Sequence, residues 1–306
     1  MSTTPLLQLR DVGRTLAAHP VVTGLNLTLD RGGVLGLLGV NGAGKSTTLR
    51  MIAGVLAPSS GQVLLDGRDL GEEPAWTRRL GYLPETPPLY PELRVDEYLA
   101  FCARLHGLAG RAAGEATARV IERCGLGAMR RRLCGNLSKG YAQRVGIAQA
   151  IVHEPDLIVL DEPASGLDPV QAASIRDLVR ELGRDGAVIL STHLLHDVTA
   201  CCGRVAILHR GRLHHDGTLT DIADAGEVQV STRAPLDATQ WQGIDCVRQA
   251  QPSGEGWRVQ LTAGTDAAQL AQAIVARGWG LTGLRGGDLE SVFLRIASAD
   301  DTARAA

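Results

Sequence analysis

Val34-Leu35-Gly36-Leu37-Leu38-Gly39-Val40-Asn41-Gly42-Ala43-Gly44-Lys45-Ser46 decides the fold. An uncharged apolar run is followed by G-x-x-x-x-G-K-S, the spacing at which a strand turns into a helix around a phosphate. Glycine at Gly39, Gly42 and Gly44 lets the N–H groups of the loop, Asn41 included, converge on phosphate oxygens. The helix that follows aims its positive end at the same place. Lys45 is placed to reach the β- and γ-phosphates and the Ser46 hydroxyl to ligate Mg²⁺, with Thr47 beside it. The residue choice at 45 is pointed: of 31 lysines plus arginines only Lys45 and Lys139 are lysines. A compact ammonium is used here where the rest of the chain uses a planar fork.

Two further runs, Leu157-Ile158-Val159-Leu160 and Ala187-Val188-Ile189-Leu190, are apolar throughout. Strands buried on both faces read this way, so they and 34–38 predict a mostly parallel sheet covered by helices. The first of them runs into Asp161-Glu162. A carboxylate at that strand end can hold Mg²⁺ through water, and a second beside it can polarise an attacking water. Neither lysine is preceded by Asn, so the N-K-x-D reader of guanine is absent and a GTPase is excluded.

The rest of the chain arranges itself around this core. Val95, Tyr98, Leu99, Cys102 and Leu105 form a helical stripe, with Asp96 and Glu97 at the positive end of the helix dipole. Residues 91–150 are therefore expected as a helical insert within an α/β domain of residues 1–225. From Gly226 the pattern changes: Val228 and Val230, then Trp257, Val259 and Leu261, alternate with polar residues, and helices are expected around Leu270 to Arg277 and from Leu289 to Ile296. Residues 226–306 read as a small α+β domain in which Trp257 and Trp279 belong to the core and His214-His215 precede it in an exposed turn. The six cysteines show no metal-type spacing and read as structural thiols of a reducing compartment. A formal net charge of −2 offers no general attraction to polyanions, so no nucleic acid is expected as a partner. No apolar run approaches the roughly 18 residues of a membrane span, and Met1 to Leu9 do not read as a secretory signal, so a cytosolic chain is expected.

Leu137-Ser138-Lys139-Gly140-Tyr141-Ala142-Gln143-Arg144 resembles the signature of ABC-type ATPases. So, in order along residues 6–220, do the phosphate loop, Gly81-Tyr82-Leu83-Pro84-Glu85, Asp161-Glu162, Ser165-Gly166-Leu167-Asp168 and Ser191-Thr192-His193. The wording is most similar to the cytosolic subunits of bacterial two-component exporters of the gliding-motility and drug-export type, and Asp288 to Leu294 weakly resembles their closing segment. The resemblance implies two cassettes closing head to tail over two ATP molecules, with Ser138 and Gly140 of one facing the γ-phosphate held by Lys45, Ser46 and Thr47 of the other. It also implies Glu162 as general base or water-orienter, Asp161 as a Mg²⁺ partner, His193 on the γ-phosphate and Asp168 across the dimer interface. The implied role is an ATPase subunit, peripheral on the inner face of the membrane through a permease on a separate chain. Contact with that permease is implied for the Glu85–Leu105 segment. A soluble ABC-type switch acting on a cytosolic assembly is the alternative; such relatives carry two cassettes or a long coiled-coil insertion, and this chain has neither.

Three positions depart from the family pattern. Glu85 replaces the usual glutamine and would ligate Mg²⁺ at the cost of more negative charge near the phosphates. Lys139 replaces a glycine and is expected to point to solvent. By spacing from Leu9-Arg10-Asp11-Val12, the aromatic ring that usually stacks on adenine falls on Leu16, with His19 nearby, so purine discrimination is expected to be modest.

Overall fold

The computed structural model describes residues 4–298 apart from 73–75, 77, 224–226, 255, 263–264 and 287–288. The expected boundary at 225/226 and Asp288 of the closing segment lie outside the described residues. Two compact units are present, Met1–Asp216 and Gly217–Ala306. The first runs β1 (Leu7–Leu16), β2 (His19–Leu29), β3 (Val34–Leu38), α1 (Lys45–Ile52), β4 (Ser60–Leu65), β5 (Arg68–Asp69), β6 (Leu80–Leu83), α2 (Val95–Leu105), α3 (Gly110–Arg123), α4 (Lys139–Ile151), β7 (Leu157–Asp161), α5 (Pro169–Asp185), β8 (Ala187–Thr192), α6 (Leu195–Cys201), β9 (Arg204–His209) and β10 (Arg212–Thr218).

The central six-stranded sheet has the order β10-β9-β3-β8-β7-β6. The three runs picked out by their apolarity are its middle strands, β3, β8 and β7, buried at every residue and parallel to one another. Burying a large aliphatic side chain stabilises by roughly 1.5–3 kcal/mol, so three fully enclosed leucines, Leu35, Leu37 and Leu38, pin β3 up to the residue before Gly39. Register does the rest: Leu38 lies opposite Thr192 and Asp161 opposite Ser191. The loop after β3 and the ends of β7 and β8 therefore emerge side by side, at the carboxyl edge where open α/β sheets bind ligands.

The helical insert leaves after β6 and returns to β7, its neighbour in the sheet. Glu97 accepts from the Arg94 N–H at 2.9 Å, which starts α2. The stripe holds for Val95, Tyr98, Leu99 and Cys102, all buried, but Leu105 is 70% exposed. Ten residues at 100° each carry it about 80° round from Val95, so the last member runs off the packed face. A second sheet, β2-β1-β4-β5, is antiparallel where its pairing is defined, and adds to the parallel sheet expected from sequence. Its inner side chains, among them Leu7, Leu9, Leu25, Leu27, Val63 and Leu65, join the same hydrophobic core as β3 and β7.

His214 and His215 are not in a turn. They lie in β10, where half-buried Leu213 and His215 alternate with exposed Arg212 and His214. The turn is one step earlier, at Arg210 and Gly211, both with positive φ.

The second unit comprises α7 (Leu219–Ala223), β11 (Glu227–Thr232), β12 (Val247–Ser253), β13 (Gly256–Leu261), α8 (Ala267–Ala276), β14 (Leu281–Gly286) and α9 (Leu289–Ser298). Its sheet, in the order β12-β13-β11-β14, is antiparallel throughout. The alternating Val228, Val230, Trp257, Val259 and Leu261 face Leu270 and Ile274 of α8 in one core, with the Trp241 ring 5.6 Å from Trp257 and 5.3 Å from Trp279.

Candidate functional site

Position 39 has no room for a side chain: a Cβ there would meet the Leu208 carbonyl. Gly44 adopts φ +103° as the residue that opens α1, a conformation L side chains resist, and it offers no side chain to cap the helix. The first N–H groups of α1 thus remain available to an anion. Lys45 is only 6% exposed. Its Nζ donates to the Gly39 carbonyl at 2.7 Å and lies 3.3 Å from a Glu162 carboxylate oxygen. A cavity of about 460 Å³ opens over the loop. Asn41, Gly42, Gly44, Lys45, Ser46 and Thr47 line it, together with Glu85, Glu162, Ser165 and His193. An equally large cavity lies at the amino ends of β7 and β8, but its charged groups are matched internally, Arg123 with Asp185 and Asp156 with Arg79 among them.

The two acidic residues at the end of β7 are tied down by one hydroxyl, Asp161 through its carboxylate and Glu162 through its backbone N–H. Ser191 Oγ donates to Asp161 Oδ1 at 2.6 Å and accepts from the Glu162 N–H at 2.9 Å. Asp161 Oδ1 also accepts from Ser46 Oγ at 3.1 Å, and Asp161 is 1% exposed. Glu162 sits at φ +50°, in the left-handed region, an arrangement costing on the order of 1 kcal/mol or more that surrounding contacts must hold. Its carboxylate is gripped from both sides, by Lys45 and by His193, whose Nδ1–H donates to Oε2 at 2.9 Å. Burial of a carboxylate beside an ammonium and an imidazole is tolerable because each of its two oxygens faces a donor.

The oxygens of Ser46, Asp161 and Glu85 are the hard donors that Mg²⁺ takes. Among the described residues no group of three or more His, Cys, Asp or Glu is placed to hold a metal unaided. Mg²⁺ is commonly held by one or two carboxylates together with substrate phosphates and water.

The remaining expected residues lie apart from this cavity. Ser138 opens α4 and accepts from the Tyr141 N–H at 3.5 Å, and Gly140 is buried in the first turn against the Gln171 amide. Asp168 caps α5, accepting from the Gln171 N–H at 2.9 Å. Gln171 so joins the signature to the segment 165–168, a link no motif announces. Lys139 is exposed as expected, yet its ammonium folds back against Gly166. From the first hairpin it is Val21 that reaches the cavity, whereas Leu16 is 40% exposed and pairs with His19 across the Ala17-Ala18 turn. All six cysteines are buried free thiols. Sequence reasoning missed Ser191 and Thr192 as individual site residues; the clue lay in their place on a buried strand directly before His193.

The ABC transporter family model matches residues 22–165, and a model described as AAA domain, putative AbiEii toxin, Type IV TA system, matches residues 136–196. The ABC transporter ATP-binding protein YxlF of Bacillus subtilis is 37% identical over 74% of this chain and 76% of its own. The linearmycin resistance ATP-binding protein LnrL of the same organism is 34% identical over 71% of this chain and 70% of its own. A solved structure of the ATP-binding subunit of an ABC transporter superposes with a TM-score of 0.64 at 35% identity, covering 71% of this chain and 91% of that one. With the phosphate loop, Glu162 and the histidine already brought to one cavity and Asp161 buried behind Ser46, this chain belongs to the ABC transporter ATP-binding protein family, whose members hydrolyse ATP.

Proposed function

We propose that the chain is the motor subunit of a membrane exporter, pairing with a second cassette over two ATP molecules and driving a permease on a separate chain. The observation that carries the dimer is the division of the expected site. Lys45, Ser46, Glu162 and His193 line one cavity, while Ser138, Gly140 and Asp168 stand elsewhere on the same subunit. A head-to-tail second copy supplies the missing half. The resistance-type relative supports export, and among the described residues no helix is long and apolar enough to cross a membrane. The location that follows is the cytoplasmic face of the membrane, held there by the permease, with no role for nucleic acid.

Within the site, the loop N–H groups and Lys45 bind and orient the β- and γ-phosphates. Ser46, Asp161 and Glu85 would hold Mg²⁺, which when bound neutralises charge on the phosphate oxygens. Glu162 orients the attacking water and accepts its proton, and His193, hydrogen-bonded to Glu162 through Nδ1, places its imidazole against the γ-phosphate. Ser138 and Gly140 of the second copy close the far side with the positive end of α4. The permease contact is assigned to the Glu85–Leu105 segment, where the Tyr90 ring is exposed and braced by Tyr98 and Phe101.

The test uses Glu162→Gln, expected to slow hydrolysis while retaining ATP and holding the dimer closed. The tagged variant is recovered from membranes solubilised with ATP and Mg²⁺. Co-purification of a multi-span protein supports the exporter. A closed dimer that brings down only soluble factors or ribosomes keeps the ATPase and removes transport in favour of the soluble switch.

A further inference from the structure

Behind His193 lies a buried polar network that the chemistry above does not use. Asp197, in the first turn of α6, is enclosed, and a buried carboxylate persists only where its oxygens are satisfied. Oδ2 accepts from Thr192 Oγ1 at 3.0 Å and Oδ1 accepts from Arg176 Nη1 of α5 at 2.8 Å, while the His196 ring lies 3.2 Å from Oδ1. Thr192 Oγ1 in turn accepts from the Leu194 N–H at 3.0 Å. The hydroxyl therefore spans His193, bonded on one side to the residue after it and on the other to Asp197. The Thr192 carbonyl also accepts from the Gly39 N–H at 3.4 Å, at the start of the phosphate loop.

We infer that Thr192 and Asp197 are positioning residues for His193, and that Arg176 ties their geometry to α5, the helix that Asp168 caps. This rests on the assignment of His193 to the γ-phosphate. The backbone turn 192–194 sets where the imidazole stands, and two hydrogen-bond donors, Thr192 and Arg176, fix the turn by fixing Asp197. Because α5 begins at the segment implied to lie on the dimer interface, closure of that interface is felt at His193 through the Arg176–Asp197 pair. Hydrogen bonds to a buried ionised group are among the stronger ones, so the connection is stiff.

The test measures steady-state hydrolysis of MgATP by the full chain. Thr192→Val keeps the shape and removes the hydroxyl, and is expected to lower kcat about tenfold or more, as small misplacements of catalytic groups do, with KM changed less than about twofold. Thr192→Ser, which returns the hydroxyl, recovers most of that loss. In a His193→Ala background, followed by single-turnover release of labelled phosphate, Thr192→Val costs nothing further. Should Thr192→Val not fold, Arg176→Met carries the same expectation. An equal loss in both backgrounds, a rise in KM at constant kcat, or no rescue by serine overturns the inference while leaving the site reading intact. A normal rate for His193→Ala alone removes the site reading, and this inference with it.

Discussion

Removing one hydroxyl, in Ser191→Ala, tests whether the paired carboxylates are held as described. Ser191 Oγ donates to Asp161 and accepts from the Glu162 N–H, and no part of the residue is exposed. A hydrogen bond to a charged group is worth about 1.5–3 kcal/mol, and a buried N–H left without an acceptor costs about 1–3 kcal/mol. With some relaxation the sum is about 3 kcal/mol. A unit of this size loses about 2–4 °C of melting temperature per kcal/mol, so its transition should fall by about 6–12 °C. Calorimetry of the full chain reads that shift, and hydrolysis of MgATP reads the second consequence. Glu162 at φ +50° loses the bond that holds its backbone, so kcat should drop about tenfold or more even at temperatures where the variant is folded. A transition lowered by less than about 2 °C together with an unchanged kcat would refute the claim that this hydroxyl organises the Asp161 carboxylate and the Glu162 backbone.

Two other outcomes follow from features away from the carboxylates. If Leu16 holds the base-stacking position that the resemblance implies, ATP and GTP should be hydrolysed with kcat/KM values within about a hundredfold, and a larger preference, worth more than about 2.7 kcal/mol, would show that the base is read by other groups. The His106 and His153 rings stack 3.5 Å apart, and burial, reinforced by the facing ring, lowers the His153 pKa to about 4. Between pH 6.5 and 4 the unfolded chain therefore binds a proton that the folded chain refuses, so stability falls as the pH is lowered through that window. Melting temperatures at pH 7.5 and 5 should diverge less in His153→Phe, which keeps a flat ring without a proton; an unchanged slope would exclude the pair as its cause.

The parts of this protein that could be read from sequence are those where one physical demand dominates. Strands β3, β7 and β8 are buried on both faces, so their apolar runs are unbroken, and the glycines of the phosphate loop answer to steric limits that no other residue meets. The antiparallel sheet was harder because β1 changes register between Leu9 and Val12 and again before Arg14, which spoils the alternation that would announce it. Asp197 and Thr192 were invisible for another reason. Each is an ordinary helix-start acid or strand-end threonine in its local context, and only the approach of α5 reveals the bond to Arg176. Leu105 and the His214-His215 pair show the reverse error, where a local pattern was extended one residue too far or assigned to a turn that had already closed.

The scarcity of lysine has a practical side. Only two side chains carry a primary amine; that of Lys45 is buried under the phosphate loop and that of Lys139 is exposed beside Gly166. Once the α-amine, the more nucleophilic amine near neutral pH, has been blocked, an amine-selective reagent will discriminate between these two side chains by access alone. A dye or spin label can thus be set at the start of the signature helix with no engineered cysteine and all six native thiols left in place. Its signal would test directly whether the proposed second cassette approaches this helix, turnover by turnover.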